Sequence, residues 1–150
     1  MVATIQYCGG VITGFAAVDR LVSAHPDAHL SFGAHTPEGF RIALSCPGWL
    51  VMEEDGCWIA LERTHHRSPV CELHWYCPTG ARLPALRSML HEAFTNRHVL
   101  CVTGSAPETH PYAREAATLA RALGATRHAG KLVLTAERFQ AYNAAKLRRG

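Results

Sequence analysis

Two apolar runs joined by a two-residue turn constrain this chain more than any other feature of its sequence. Trp49 to Glu54 and Cys57 to Arg63 are both rich in apolar residues. Asp55-Gly56, which lies between them, accepts positive φ angles at little strain, and two such runs with this spacing are typical of a β-hairpin. The middle of the chain is therefore predicted to be built around antiparallel strands.

The segments after the hairpin alternate between strand and helix patterns. Strands are predicted at Val70 to Tyr76 and His98 to Thr103, so the order from Trp49 onwards is β, β, β, α, β, α, β, α. The other predicted elements are a helix with Leu83, Leu86, Leu90, Ala93 and Phe94 on one face, a helix striped by Ala113, Ala116, Ala120 and Leu123 that ends at Gly124, a strand at Lys131 to Thr135, and a last helix that Thr135 caps and that carries Phe139, Tyr142 and Leu147.

The first 48 residues carry weaker patterns. Helical spacing of apolar residues predicts a helix over Gly14 to Ala24. Prolines and glycines from Pro26 to Gly39 indicate a long connection, and Ile42, Leu44 and Cys46 then alternate with polar or small residues. We interpret residues 1–48 as one helix followed by an irregular segment.

Composition narrows the class of protein. With 150 residues, 48% of them hydrophobic and 18% charged, the chain is expected to form a single domain over residues 1–150. The N-terminus lacks a signal-peptide pattern, and no apolar run is long enough to span a bilayer, so an intracellular, unsecreted protein without a membrane partner is expected. A net charge of +3 with scattered basic residues argues against specific nucleic-acid binding. The six cysteines are expected to be free thiols.

The order of elements from Trp49 to Thr135, with the stretch ARALGATRHAGKLVLT at residues 120–135, resembles the GNAT superfamily of acetyltransferase-like proteins. The resemblance implies an α/β (α+β) fold with a mixed, mostly antiparallel sheet flanked by helices. In that family the fourth and fifth strands splay apart, and the turn after the fourth strand offers backbone N–H groups and a helix N-terminus to the pyrophosphate of acyl-CoA.

The turn at the corresponding place in this chain is Cys77-Pro78-Thr79-Gly80-Ala81-Arg82. By resemblance, Gly80, Ala81 and Arg82 are the candidate cofactor-binding residues. Their spacing differs from the usual motif of the family, and Pro78 removes one backbone donor. An ordinary connection between a strand and a helix is an equally good interpretation of this turn.

The resemblance also implies a general acid on the helix that ends at Gly124. GNAT enzymes commonly carry an asparagine at the start of this helix and a tyrosine seven residues later, and these positions fall on Ala113 and Ala120 here. An alanine methyl cannot donate a proton, so the acid position is vacant. Tyr112 takes that role only if the alignment is shifted.

The predicted strand at Val70 to Tyr76 carries the best candidates for a catalytic base. Glu72 and His74 share one face with Tyr76, whereas Cys71 shares the other face with Trp75. Either Glu72 or His74 can take a proton from an amine. Polar residues on a partly open sheet face remain the simpler interpretation.

A metal site is not expected from the sequence. Cys71 and Cys77 point away from His74 on a strand, so these three residues cannot hold one tetrahedral ion. A site formed by His65 and His66 with Cys57 or Cys71 stays open as a minor alternative.

Three functional hypotheses follow. The stretch ELHWYCP at residues 72–78 and the altered motifs resemble the small GNAT-like virion-associated proteins of short-tailed bacteriophages. This resemblance implies a non-catalytic structural or assembly component that lacks a cofactor, lies in the host cytoplasm or the virion, and binds head or tail proteins. The alternative is an active acyl-CoA dependent N-acyltransferase that binds acetyl-CoA. The third is a ligand- or protein-binding domain outside this family, which a sheet without the splay would favour.

Overall fold

The fold is described from a computed structural model that covers residues 10–31, 36–65, 68–105 and 113–149. These residues form one seven-stranded sheet in the order β1-β2-β3-β4-β5-β7-β6, with six helices around it. The strands are β1 (Ile12–Thr13), β2 (Trp49–Glu54), β3 (Cys57–Arg63), β4 (Val70–Tyr76), β5 (Cys101–Gly104), β6 (Thr126–His128) and β7 (Lys131–Thr135). The helices are α1 (Phe15–Ala24), α2 (Ala28–Ser31), α3 (Pro37–Leu44), α4 (Leu83–Asn96), α5 (Ala113–Ala122) and α6 (Ala136–Arg149).

The predicted hairpin is confirmed as β2 and β3, which pair from Trp49–Glu62 to Glu54–Cys57. Asp55 and Gly56 have φ angles of 54° and 77°, so the turn lies in the left-handed region that its sequence tolerates. All strand pairs are antiparallel except β4 with β5. The predicted fold class, a mixed and mostly antiparallel sheet flanked by helices, is confirmed.

Alternation along the strands divides the core between the two faces of the sheet. The face that carries Ile59 and Leu61 packs against α4 and α6, through residues such as Met89 and Phe139. The opposite face, which carries Ala60 and Trp58, packs against α1 and α3. Trp58 donates its indole Nε1–H to the carbonyl oxygen of Ala17 at 3.1 Å, which attaches α1 to the sheet.

The interpretation of residues 1–48 as one helix and an irregular segment was wrong in its second part. Residues Pro37–Leu44 form helix α3, so Ile42 and Leu44 follow a helical and not an alternating pattern. Thr36 caps this helix by accepting a hydrogen bond from the Gly39 amide at 3.0 Å, and Pro37 occupies its first turn. These start signals were present in the sequence, although prolines and glycines around them favoured a loop.

The other differences concern short or polar strands. β5 begins at Cys101, three residues later than the predicted start at His98. The two-residue strand β1 and the exposed strand β6 were not predicted, because neither has an apolar pattern. β6 pairs with β7 through a turn at Ala129 and Gly130, which both have positive φ angles.

The C-terminal end of α5 is fixed by a buried network. Gly124 has a φ angle of 104°, and a Cβ atom there would lie 3.0 Å from Tyr142, so glycine is required for two reasons. Asn143 on α6 is 1% exposed and donates hydrogen bonds to the carbonyl oxygens of Leu123 and Phe139, at 3.0 and 2.7 Å. Its Oδ1 accepts a hydrogen bond from Arg87 on α4. These contacts hold α5 in a defined position relative to α4 and α6.

The thiols agree with the sequence expectation wherever they are described. Cys46, Cys57, Cys71, Cys77 and Cys101 are free, and Cys8 lies outside the described residues. Among the residues described, none of the helices combines the length and the apolar character needed to cross a bilayer.

Glu54, the last residue of β2, is a buried carboxyl group. It is 9% exposed, and its Oε1 atom has no hydrogen-bond partner among the described residues. Burial raises the pKa of Glu54 to about 7, the hydrogen bond with Ser88 opposes this shift, and the neighbouring Asp55 and Glu53 charges add to it. Between about pH 4.5 and pH 7, Glu54 is therefore mostly protonated in the folded chain and mostly ionised in the unfolded chain.

This difference predicts a pH dependence of stability. Because the folded pKa lies above the unfolded value near 4.5, the free energy of unfolding should fall as the pH rises from about 4.5 to about 7, by up to about 1.4 kcal/mol per pH unit from this group. Glu54→Gln should remove that slope and be more stable than the wild type at pH above 7, in urea denaturation at several pH values. Glu137→Gln, at an exposed glutamate on α6, is the matched control. An equal slope in Glu54→Gln and wild type would contradict the prediction.

Candidate functional site

The site begins where β4 and β5 separate. These two strands are joined by helix α4 and pair in parallel at Val70–Cys101, Cys71–Val102 and Glu72–Thr103. Beyond Glu72, β4 continues to Tyr76 and still pairs with β3, but no further β5 partner exists among the described residues. The sheet therefore opens into a gap between Leu73–Tyr76 and the end of β5. This splay disfavours the hypothesis of an unrelated binding domain.

A cavity of about 260 Å³ fills this gap. Its walls are mainly apolar, with Leu73 and Trp75 from β4, Leu86 and Leu90 from α4, and residues of α5 on a third side. This volume lies slightly below the range of about 300–1,000 Å³ for pockets that bind drug-sized ligands. A narrow or extended group fits such a cavity better than a bulky ring system.

Helix α5 lines the cavity with methyl groups. Ala116 and Ala120 both contribute to its wall. The sequence resemblance assigned the general-acid tyrosine position to Ala120, and the structure places that alanine at the cavity. Tyr112 and the side chain of Ala113 lie outside the described residues. Among the described residues, those that line the cavity and bear a hydroxyl group are Thr103 and Ser105.

The turn before α4 is held against the β2–β3 hairpin. Gly80 has a φ angle of 102° and donates its amide hydrogen to the carbonyl oxygen of Cys77 at 3.0 Å. The Cys57 thiol contacts the Gly80 carbonyl oxygen at 3.7 Å. Gly80, Ala81 and Arg82 are not part of the cavity wall, but they lead directly into α4, which is part of it.

This turn has some of the properties of an anion site and lacks others. No side chain among the described residues caps the N-terminus of α4. In its first turn Leu83 carries an amide hydrogen, Pro84 has none, and Ala85 is only 2% exposed. The guanidinium of Arg82 is paired with the Asp55 carboxylate at 2.6 Å, and both groups are exposed. Sequence reasoning missed Asp55 as a neighbour of this turn, because the contact depends on how the hairpin folds against it.

The predicted base candidates Glu72 and His74 lie on one face of β4, as the alternation predicted, and a third residue joins them. Glu62 on β3 is directly opposite Glu72 in the register, and its Oε1 lies 3.4 Å from His74 Nε2. One possible ligand atom from each of the three residues lies within 4.8 Å of the others. All three residues are partly buried, and His74 also lines the cavity. Glu62 was missed because only the β3–β4 register reveals it.

Aromatic rings continue this face of the sheet. The Trp49 ring lies 5.4 Å from the His74 ring, and His25 lies 5.3 Å from Trp58 and 5.5 Å from Tyr76. Trp58 is buried, and Trp49 is partly buried against the same cluster. Cys71 and Cys77 pack in the core of the opposite face, so they do not converge with His74, as predicted.

The two faces meet at the gap and have different chemistry. One side is an apolar cavity under α4 and α5, and the other is a polar, partly exposed group of Glu62, Glu72 and His74. The gap thus places an apolar space beside groups that accept protons.

Comparisons with known proteins show which solved structures share this architecture. No protein-family model matches the chain, and no curated protein matches it in sequence. Among solved structures, the aminoglycoside acetyltransferase AAC(6')-Ib in complex with coenzyme A matches with a TM-score of 0.59 at 12% identity, over 87% of this chain and 98% of that chain. The chain has the GNAT fold. Two other matches have a TM-score of 0.50: Mycobacterium smegmatis RimJ in complex with CoA-disulfide, at 16% identity over 75% of this chain and 70% of that chain, and a GNAT-family acetyltransferase from Bacillus anthracis, at 14% identity over 85% and 95%.

The comparisons support one of the hypotheses from the sequence and not another. They agree with the GNAT-like architecture, and their matches include acetyltransferases solved with coenzyme A. They give no support to a resemblance with phage virion proteins. At these identities the likeness establishes architecture, and function has to be argued from the site.

A larger side chain at position 120 tests whether the cavity has room for added apolar atoms. Ala120→Leu should raise the free energy of unfolding by about 1–2 kcal/mol, because three added carbon atoms move into apolar space. Ala117→Leu is the matched control on the same helix: Ala117 is buried but not part of the cavity wall, so overpacking should cost about 1–3 kcal/mol. Urea denaturation measures both, and a loss of stability in Ala120→Leu as large as in Ala117→Leu would contradict the prediction.

Proposed function

We propose that this chain is an acyl-CoA dependent N-acyltransferase of the GNAT type, acting on an amine. The observation that carries the proposal is the end of β4–β5 pairing at Glu72–Thr103, with an apolar cavity in the gap and proton acceptors at its edge. This arrangement brings together a place for an acyl thioester and a place for an amine. The alternative hypothesis of the sequence analysis thus fits better than the non-catalytic one.

The cofactor assignment follows from the shape and chemistry of the two ends of the site. An extended thioester arm matches a narrow apolar cavity, and the α4 N-terminus, with the amide of Leu83 and the guanidinium of Arg82, suits a pyrophosphate. Two of the matched structures were solved with coenzyme A or its disulfide, which supports the same assignment. We infer that acetyl-CoA or another acyl-CoA binds here.

The reaction needs one proton acceptor and a leaving thiolate. Glu72 or His74 removes a proton from the acceptor ammonium, and the freed nitrogen lone pair attacks the thioester carbon. As the tetrahedral intermediate collapses, the C–S bond breaks, the nitrogen loses its second proton to water, and the thiolate takes a proton from water. The products are an amide and free CoA, and the base returns its proton to solvent.

The alanine at position 120 should slow the acyl transfer without preventing it. A general acid contributes typically about 10²–10⁴-fold to a rate. A thiolate whose conjugate acid has an ordinary thiol pKa of about 8.5 can nevertheless leave without one. Against a median kcat of about 10 s⁻¹, we therefore expect a slow enzyme, at about 0.1 s⁻¹ or below. The hypothesis of a virion component that binds head or tail proteins rests on the vacant acid position and the altered turn, and it stays a prediction from sequence alone.

Binding of CoA can be tested apart from catalysis. CoA at about 100 times its Kd should add about 2.7 kcal/mol to the free energy of unfolding. Asp55→Asn should tighten CoA binding about two- to fivefold at low salt, because it removes the carboxylate that competes for Arg82, and asparagine also tolerates the positive φ angle. The gain should shrink at high salt.

Asp19→Asn is the matched control for this experiment, since Asp19 forms a similar exposed pair with Arg41 on the helices α1 and α3. Isothermal titration calorimetry measures both variants. If Asp19→Asn and Asp55→Asn change CoA affinity equally, the turn before α4 is not the pyrophosphate site.

Measurements of turnover test which residue acts as the base. Thiol release from acetyl-CoA, followed with a panel of polyamines, amino sugars and peptide N-termini, should identify an acceptor. Glu72→Gln or His74→Gln should then lower kcat/KM by about 100-fold or more for the residue that acts as base. His128→Gln, at an exposed histidine on β6, should leave the rate unchanged. Equal activity of both site variants and the wild type would exclude Glu72 and His74 as the base.

A further inference from the structure

We propose that Glu62, Glu72 and His74 form a binding site for a divalent transition-metal ion, with Zn²⁺ as the best match. The three residues lie on one face of β3 and β4, and one possible ligand atom from each lies within 4.8 Å of the others. The sequence predicted no metal site, because its candidate ligands were histidines and cysteines without any carboxylate. The cross-strand position of Glu62 changes that expectation.

The geometry of the closest pair fits a shared ion. His74 Nε2 and Glu62 Oε1 are 3.4 Å apart, longer than a good hydrogen bond between them. Two ligand atoms at zinc–nitrogen and zinc–oxygen distances of about 2.0–2.1 Å, in a tetrahedral arrangement, are separated by about 3.3 Å. The pair already has the spacing of one edge of a zinc tetrahedron, and a ligand atom of Glu72 lies within 4.8 Å of both, so Glu72 moves closer when it takes a third corner.

The charges around the pair also favour a cation. Glu62 and Glu72 are directly opposite each other on neighbouring strands, where like charges are destabilising. Within the described parts of the chain, neither carboxylate has an ion pair with a lysine or arginine, and His74 is the one basic partner of Glu62. A bound divalent ion relieves this repulsion and gives His74 a role as neutral ligand.

The donor set selects the kind of ion. One imidazole nitrogen with two carboxylate oxygens suits Zn²⁺ and its first-row neighbours, whereas Ca²⁺ and Mg²⁺ prefer oxygen ligands throughout. The side chains of His74 and Glu62 are 33% and 45% exposed, so an ion has direct access from solvent. Three protein ligands leave one coordination position open, and His74 and Thr103 both line the cavity.

The ion and the acceptor amine compete for the same groups. A metal held by His74 and Glu72 occupies the lone pairs that would remove a proton from the amine. If the proposed acyl transfer occurs, Zn²⁺ should inhibit it, and a chelator should restore it. The metal site itself does not depend on that activity, because binding is measured without CoA or amine.

The experiment is calorimetric titration of the tag-free full chain with Zn²⁺, together with Co²⁺ titration followed by visible absorption. We expect one ion per chain at this site and an intense Co²⁺ spectrum typical of four-coordinate geometry. Glu62→Gln and His74→Gln should each weaken binding at least tenfold and remove the spectrum, and Glu62→Asp should weaken it less. Circular dichroism confirms that each variant is folded.

His128→Gln and Glu137→Gln are the matched controls, since they remove the same chemical groups at exposed positions on β6 and α6. They should bind Zn²⁺ as tightly as the wild type. Absence of binding at millimolar Zn²⁺, or binding that persists unchanged in both Glu62→Gln and His74→Gln, would overturn the proposal. Acyl transfer assayed with a chelator present reports on the proposed function alone, so either proposal can fail without the other.

Discussion

The architecture of the site depends on one limited set of contacts, the parallel pairing of β4 with β5. Helix α4 connects these strands on one face of the sheet, and three residue pairs join them before they separate. Because β4 keeps its bonds to β3, it stays in the sheet while the other side of its second half opens. The gap thus results from the strand pairing itself. The cavity, the N-terminus of α4 and the polar group of Glu62, Glu72 and His74 all lie around it.

Strand alternation then gives the two sides of the gap opposite chemistry. Leu73 and Trp75 face the apolar sides of α4 and α5, whereas Glu72 and His74 face the side that α1 and α3 cover only in part. The alanines of α5 keep the cavity open, since larger side chains there would fill it. The buried Asn143 network holds α5 at the distance that makes this space. These placements give the site an apolar slot on one side and a polar face on the other, which is the arrangement that the proposed acyl transfer requires.

Much of the candidate site could be predicted from residues close together in sequence. The shared face of Glu72 and His74 follows from the two-residue period of a strand, and the turn at Gly80 follows from glycine before a helix with proline in its first turn. Glu62 and Asp55 could not be predicted as site residues. Each reaches the site through pairing or packing across the hairpin, and the length of the connection between β3 and β4 does not determine their register.

The sequence by itself determined the elements whose signals are local: the hairpin at Asp55-Gly56, the end of α5 at Gly124 and the cap of α6 at Thr135. Each depends on the backbone preference of one or two residues, which neighbouring residues alone settle. Only the tertiary structure decided that β4 and β5 part after Glu72, that Glu62 joins His74, and that Arg82 meets Asp55. These contacts join segments far apart in the chain, and their geometry results from the packing of the whole sheet against its helices.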